Sequence, residues 1–414
     1  MTDTTEAPRH GEQTAATVEN RPLPASAAGR SFSVLQVVIN PFPEVRGGVD
    51  TMVTTLVEHL GRQGCTSTVF VPGSWEDSKL RHYRAGSTDV YMRRLRTPTE
   101  PRRPLRNLVG LLGEAPRIIA DLRMICRRHG IDLVHVHTAT DYAFYFRILS
   151  AVTGIPYLIT FHRGDVVDFK DRNAAQKILI RWSIAGARAT SAVSPWLADL
   201  ARQVFASLCS PAAINNGIAG TAKPGAPGPL PGRFFLMVGS FDHYKGHDIA
   251  LRAWRLVSRR YPDLRLLVAG DGALRGDYER LIRENGCSGS IDLLGQLSRN
   301  EVLRLMRSSI ALVFPSRTEG LGYVMLEAGL METPVVCSDI PPLNEVVIDG
   351  ATGLVVEPEN SDDLARALLL LLDDPDLRNR LGRGMAKRVA TDYSAEGMAD
   401  AYLSLYGGML GSGP

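Results

Sequence analysis

Ile310-Ala-Leu-Val-Phe-Pro315, then Ser316-Arg-Thr-Glu-Gly-Leu-Gly322, then Tyr323-Val-Met-Leu-Glu-Ala-Gly-Leu-Met331, and after Thr333-Pro334 the run Val335-Val-Cys-Ser338, form one continuous stretch. The first piece is a short apolar run, suited to a strand buried on both faces. The second is rich in Gly, Ser and Thr and reads as a loop. The third predicts a helix that Pro334 stops. The fourth is a second buried strand. Together they make a β-loop-α-β unit whose loop lies at the carboxyl end of a strand, where open parallel sheets bind ligands. Glu319 stands in that loop and Glu327 eight residues on, inside the helix. Peptide N–H groups around Leu321 to Tyr323 have no intrahelical partner, so they can receive a phosphate. Gly320 and Gly322 let the backbone come close to a ligand.

Either Glu alone is more often solvated surface than a functional group. Together, in the setting Pro315-Ser316-x-x-Glu319-Gly320-x-Gly322-x4-Glu327-Ala328, they resemble the Glu-x7-Glu signature of the family four retaining glycosyltransferases. The resemblance spans roughly Val34 to Tyr406. It implies an α/β chain of the GT-B fold, with two Rossmann-like parallel-sheet domains facing each other across a cleft. It also implies a nucleotide-diphospho-sugar donor bound by the stretch from Ser316 to Gly322. Glu319 would hold the donor sugar and Glu327 the ribose hydroxyls.

Composition agrees with a globular protein of two domains. The chain has 414 residues, 44% hydrophobic and 22% charged. A net charge of +3 is too mild to point to nucleic acid. Five scattered cysteines, with no Cys-x2-Cys pair, suggest neither disulfides nor zinc. Residues 1–30 are rich in Thr, Ala, Glu and Pro and lack a signal peptide's apolar core, so a disordered tail is expected, while the scattered cysteines fit a cytoplasmic location. The longest apolar run, Ala367 to Leu372, is far below the ~18 residues of a spanning helix.

Phe32 to Asn40 reads as a first strand, Val49 to Arg62 as an amphipathic helix, and Ser67 to Val71 as the next strand. Gly47-Gly48 opens that helix and can present amides to a phosphate. Most Gly-Gly turns are only turns, but by resemblance these two glycines face the donor diphosphate. Residues 73–104 read as irregular and basic, and a helix is expected over Leu105 to His129. Six arginines fall between Arg93 and Arg106: Arg93, Arg94, Arg96, Arg102, Arg103 and Arg106. A solvated face is the commoner use of such a cluster. Peripheral contact with anionic lipid at the inner membrane face is the functional alternative. Ile131 to His137 is a buried strand with His135 and His137 on one face, more readily core histidines than metal ligands. Thr160-Phe-His162 at the end of the strand Pro156 to Phe161 resembles the family's first-domain catalytic histidine. Ala189 to Ser194 and Ala213 to Ile218 resemble its acceptor-side strand and closing Asn-Gly turn.

Residues 219–232 are dense in Pro and Gly and read as a linker between a first domain at 31–218 and a nucleotide-sugar domain at 233–394. Residues 395–414 are expected to return to the first domain as a crossover helix. The loop Ser240 to Gly246 follows the strand Phe234 to Gly239. Two departures from the family stand out. Where its members usually carry an Arg directly after the loop glycine, this chain has Ser240, leaving Lys245 and, as candidate substitutes, Arg317 or Arg163. Glu332 occupies a position that is usually Gly, a change that reads as structural.

The resemblance thus implies catalytic roles for Glu319, His162 and Lys245. Donor binding falls to Gly47, Gly48, Lys245, Ser316, Glu319, Gly320, Leu321, Gly322 and Glu327. No Asp-x-Asp metal site is evident in these motifs, so neither metal nor cofactor is expected. The partners are a nucleotide sugar and an acceptor, in surface-polysaccharide, glycolipid or related glycoconjugate synthesis. A sugar-nucleotide epimerase of the same fold and a noncatalytic sugar-nucleotide-binding module remain the alternatives.

Overall fold

The computed structural model describes residues 31–44, 47–73, 79–97, 104–220 and 232–411, with 104–112 described in backbone only. The expected tail at 1–30 lies outside the described residues, as do most of the expected linker and Arg102, Arg103 and the Arg106 side chain.

Two sheets organise the chain. The first contains β1 (Ser33–Val37), β2 (Thr66–Gly73), β3 (Arg81–Ala85), β4 (Thr88–Arg94), β5 (Leu133–Val136), β6 (Tyr157–Phe161), β7 (Ala189–Ala192) and β8 (Ala212–Ala213). Their order is β3-β4-β2-β1-β5-β6-β7-β8, parallel except that β3 runs antiparallel to β4. The second contains β9 (Phe234–Val238), β10 (Arg265–Ala269), β11 (Ile291–Gly295), β12 (Leu312–Phe314), β13 (Val335–Ser338) and β14 (Gly353–Val356). Its order is β11-β10-β9-β12-β13-β14, all parallel. This is the two-sheet α/β architecture of the GT-B fold.

Strand order reverses between β1 and β5 in one sheet and between β9 and β12 in the other. The loops that leave such a reversal diverge to opposite faces and open a crevice. Gly47-Gly48 follows β1, the Lys245 loop follows β9, and the Glu319 loop follows β12, so all three stand at switch points. β12 is buried at every residue, as its continuous apolar run requires.

Residues 73–104 depart from the irregular reading. A hairpin, β3–β4, turns at Gly86 (φ +61°) and adds to the edge of the first sheet. Its strand Arg81-His-Tyr-Arg-Ala85 is mostly exposed, so no continuous apolar run marks it. Within the arginine cluster, Arg93 is buried in an ion pair with Asp121, and Arg96 pairs with Glu114 at 3.0 Å. Both acids lie on the helix Pro104–His129, so these two charges are used inside the domain.

The last helix, Ala395–Gly411, lies against the first domain's helix Gly48–Arg62, and a bridge joins Ile218 to Ser394. Its Tyr402 and Tyr406 are buried under the first sheet. Tyr406 Oη lies 2.7 Å from His135 Nδ1, and His135 Nε2 lies 2.6 Å from Thr160 Oγ1. The His135 and His137 rings lie tilted against each other with centroids 3.8 Å apart, and burial holds both well below the usual imidazole range. Both are core groups: His135 ties the last helix to β5 and β6, and His137 Nε2 lies 2.8 Å from Gln36 Oε1 on β1. Among the described residues no helix is long and apolar enough to cross a membrane.

Candidate active site

Gly246 makes the second-domain half of the site possible. Its φ is +69°, and a Cβ there would lie 1.9 Å from the Pro315 carbonyl oxygen, so only Gly fits. That close approach presses the loop after β9 against the loop after β12. Arg317 N–H donates to the Tyr244 carbonyl at 2.7 Å and fastens the two together. Lys245 Nζ consequently reaches Glu319 Oε1 at 2.7 Å, and Ser316 Oγ donates to the same oxygen at 3.0 Å. The Glu319 side chain is only 9% exposed. A carboxylate at that depth needs both donors.

The loop then turns through Gly322 (φ +83°) into the helix Tyr323–Leu330. Leu321 is buried beside it. Glu327, on the second turn of that helix, is buried and accepts from Arg299 Nε at 2.9 Å. Burial raises its carboxyl above the usual range, and the Arg299 bond opposes that. Arg299 sits at the start of the helix Arg299–Ser308 and is 41% exposed. Nothing in Leu297-Ser-Arg-Asn300 distinguishes it in the sequence from a surface arginine.

First-domain loops meet this motif directly. A Cβ on Gly48 would lie 3.3 Å from Tyr323 Cβ, so glycine permits the approach of the helix Gly48–Arg62. Gly47 caps that helix in extended backbone, with nothing within 4 Å of a Cβ. Tyr323 Oη donates to the Gly217 carbonyl at 3.2 Å, and Ser194 Oγ to the Gly320 carbonyl at 3.1 Å. A Cβ on Gly320 would lie 3.1 Å from Arg163 Cβ. His162 precedes Arg163 at the end of β6. It is buried, and among the described residues its Nε2 has no hydrogen-bond partner. Burial pushes its imidazole down to about 4, so the ring is neutral at pH 7. Asp165 Oδ2 accepts the His162 backbone N–H at 2.9 Å, and burial pushes this carboxyl up to about 6.

The two departures from the family pattern resolve differently. Ser240 Oγ donates to Asp242 Oδ2 at 2.6 Å, so this position contributes no cation. Arg317 does not replace it. Its guanidinium is bound to both Asp248 oxygens at 2.8 and 3.0 Å, to Glu359 and to the His243 carbonyl. Glu332 has φ +57°, the left-handed region that favours Gly, directly after the helix. Among the described residues no three His, Cys, Asp or Glu side chains are grouped as metal ligands.

Residues 225–388 match the family model described as glycosyl transferases group 1, and residues 46–219 match that of glycosyltransferase family 4. An uncharacterized glycosyltransferase of Methanocaldococcus jannaschii is 30% identical over 285 residues, 68% of this chain and 78% of that protein. The chain belongs to the group 1 glycosyltransferases. An alpha-D-kanosaminyltransferase of Streptomyces kanamyceticus is 34% identical over 171 residues, 41% of this chain and only 44% of that protein's length. Among solved structures, a sucrose-phosphate synthase of Thermosynechococcus elongatus superposes with a TM-score of 0.73 at 20% identity. It covers 92% of this glycosyltransferase and 100% of its own chain, and so shares the fold.

Proposed function

We propose that this glycosyltransferase moves a sugar from a nucleotide-diphospho-sugar to an acceptor hydroxyl, with retention of anomeric configuration and without a metal ion. The observation that carries the reading is the Lys245–Glu319 pair, 2.7 Å apart beside the N-terminus of the helix Tyr323–Leu330. Breaking the bond from the anomeric carbon to phosphate leaves a nucleoside diphosphate whose charge must be met. Lys245 and the free amides of that helix can meet it without reorganising. Gly47 and Gly48 offer a second set of amides from the opposite domain. In this reading Glu319 gives up Lys245 to the phosphate and turns its oxygens to the donor-sugar hydroxyls. Glu327 exchanges Arg299 for the ribose hydroxyls.

The acceptor oxygen attacks from the face that the diphosphate leaves, and its proton passes to the departing phosphate oxygen. His162, neutral and with Nε2 unpartnered among the described residues, contacts the donor sugar from the first domain. The product class that fits is a glycoconjugate: polysaccharide, glycolipid or a glycosylated small molecule.

A panel of nucleotide sugars in a thermal-unfolding assay tests the donor, since a ligand of the native state raises its stability. One member is expected to raise Tm and to be turned over in excess EDTA. A flat panel would remove the donor reading. Activity lost in EDTA and restored by magnesium or manganese would remove the metal-free mechanism.

A further inference from the structure

Lys245 alone is a poor match for a leaving group carrying several negative charges, and in this structure it is already paired with Glu319. Arg317 is bound to Asp248 and Glu359, and Ser240 faces Asp242. The first domain, however, sends one guanidinium into the same loops. Arg163 lies 4.6 Å above the Tyr244 ring, on which Lys245 Nζ also stands at 5.1 Å. Arg163 Nε donates to Thr318 Oγ1 at 3.4 Å, next to Glu319. Its backbone N would lie 3.4 Å from a Cβ on Gly320. Two cations from two domains therefore share one aromatic ring at the mouth of the Glu319 loop.

We propose that Arg163 is the second diphosphate-binding cation of this enzyme, delivered across the cleft by the first domain to act beside Lys245. The inference rests on the donor-site reading above. Arg163 is free to take the role because its acidic partner is weak. Asp168 lies 3.3 Å from Nη1 and is 45% exposed, and such a pair contributes little. A phosphate offers the planar guanidinium two oxygens in the fork geometry that suits it. Tyr244 holds the guanidinium plane, and its cation–π contact survives the exchange of Asp168 for phosphate. Because Arg163 comes from the first domain, the diphosphate gains its second cation only when the two domains are closed upon each other. Affinity for diphosphate and domain closure are thereby coupled.

The test compares nucleoside diphosphates with the matching monophosphates (uridine, guanosine, adenosine and thymidine series) by calorimetry on the full chain. Wild type is expected to prefer one diphosphate over its monophosphate. Arg163→Ala and Arg163→Gln should each weaken that diphosphate about tenfold to a hundredfold, the range for losing a hydrogen bond to a charged group. Monophosphate affinity should stay the same. Ser240→Arg in the Arg163→Ala background places a cation beside Gly239, where a Cβ would lie 3.5 Å from the Lys245 Cδ, and should recover most of the loss. Wild-type diphosphate affinity in both Arg163 variants overturns the inference while leaving the donor site standing. Equal losses for mono- and diphosphate, with no rescue by Ser240→Arg, also overturn it. A wild type that binds no diphosphate overturns the donor site itself.

Discussion

Replacing Glu327 by Ala removes the carboxylate assigned to the ribose and leaves the loop around Glu319 untouched. The magnitude follows from what the side chain exchanges. Two ribose hydroxyls donating to a carboxylate give, at the low end of about 1.5 kcal/mol each, roughly 3 kcal/mol. The wild type must first release Arg299, which is 41% exposed and bonded to Oε1 at 2.9 Å. A pair with so exposed a partner is worth up to about 1 kcal/mol. The net of about 2 kcal/mol corresponds to a roughly 30-fold weaker nucleoside diphosphate. Calorimetry with ribo- and 2′-deoxyribonucleotides makes the assignment specific. Wild type should bind the deoxy compound about tenfold more weakly, the loss of one such bond. Glu327→Ala should bind the two alike. A variant that still discriminates them as wild type does, or that binds the ribonucleotide with unchanged affinity, refutes the placement of the ribose on Glu327.

Lys245→Ala should lower kcat/KM by about 10²–10³, the range for losing one preorganised electrostatic donor; near-full activity in a folded variant would contradict its role. Asp165→Asn tests the short helix Arg163–Val166 of the first domain through pH. The native carboxyl is pushed up to about 6, so the stability tied to its protonated form is present at pH 4 and lost as pH rises through 6. Between pH 4 and pH 7 wild type should therefore lose about 2 kcal/mol relative to the variant. A difference independent of pH in urea titrations would show that Asp165 titrates normally. Glu332→Gly should stabilise the chain by about 1 kcal/mol, since a non-glycine residue at φ +57° carries a cost of that order. An unchanged denaturation midpoint would mean that the loop relieves the strain otherwise.

Where burial is two-sided, the chain announces its fold. Leu312-Val-Phe314 and Val335-Val-Cys-Ser338 are apolar throughout or nearly so because both faces of the central strands are covered. The hairpin Arg81–Arg94 carries no such signal because it lies at an edge, with Arg81, His82 and Arg84 in solvent. The same split runs through the site. Glu319, Glu327 and Lys245 stand out through their places in motifs that resemble the family's. Their partners do not. Arg299 reaches Glu327 from 28 residues away, and Ser194 reaches the Gly320 carbonyl from 126. In the sequence Ser194 reads as the end of a strand resembling the family's acceptor-side strand; in the structure it caps the helix Pro195–Phe205, with its Oγ accepting from Leu197 N–H. Its second bond, across the domains, is a product of closure that no local pattern encodes. The choice between Arg163 and Arg317 as the extra cation is likewise a matter of acceptors. Asp248 and Glu359 hold Arg317 from positions that the sequence does not connect to it.

The account's central claim is that Glu319 works on the sugar at the reacting centre, while its neighbours hold the nucleoside diphosphate. Measuring nucleoside-diphosphate affinity and donor turnover side by side in Glu319→Ala tests it most directly. Removing Glu319 frees Lys245 from its 2.7 Å pair, so diphosphate affinity should be retained or improve. Turnover of the nucleotide sugar, measured at saturating donor and acceptor, should fall by about 10² or more, as for a group whose contact is made in the transition state. Diphosphate affinity lost in step with turnover, or turnover kept at the wild-type level, would contradict the claim.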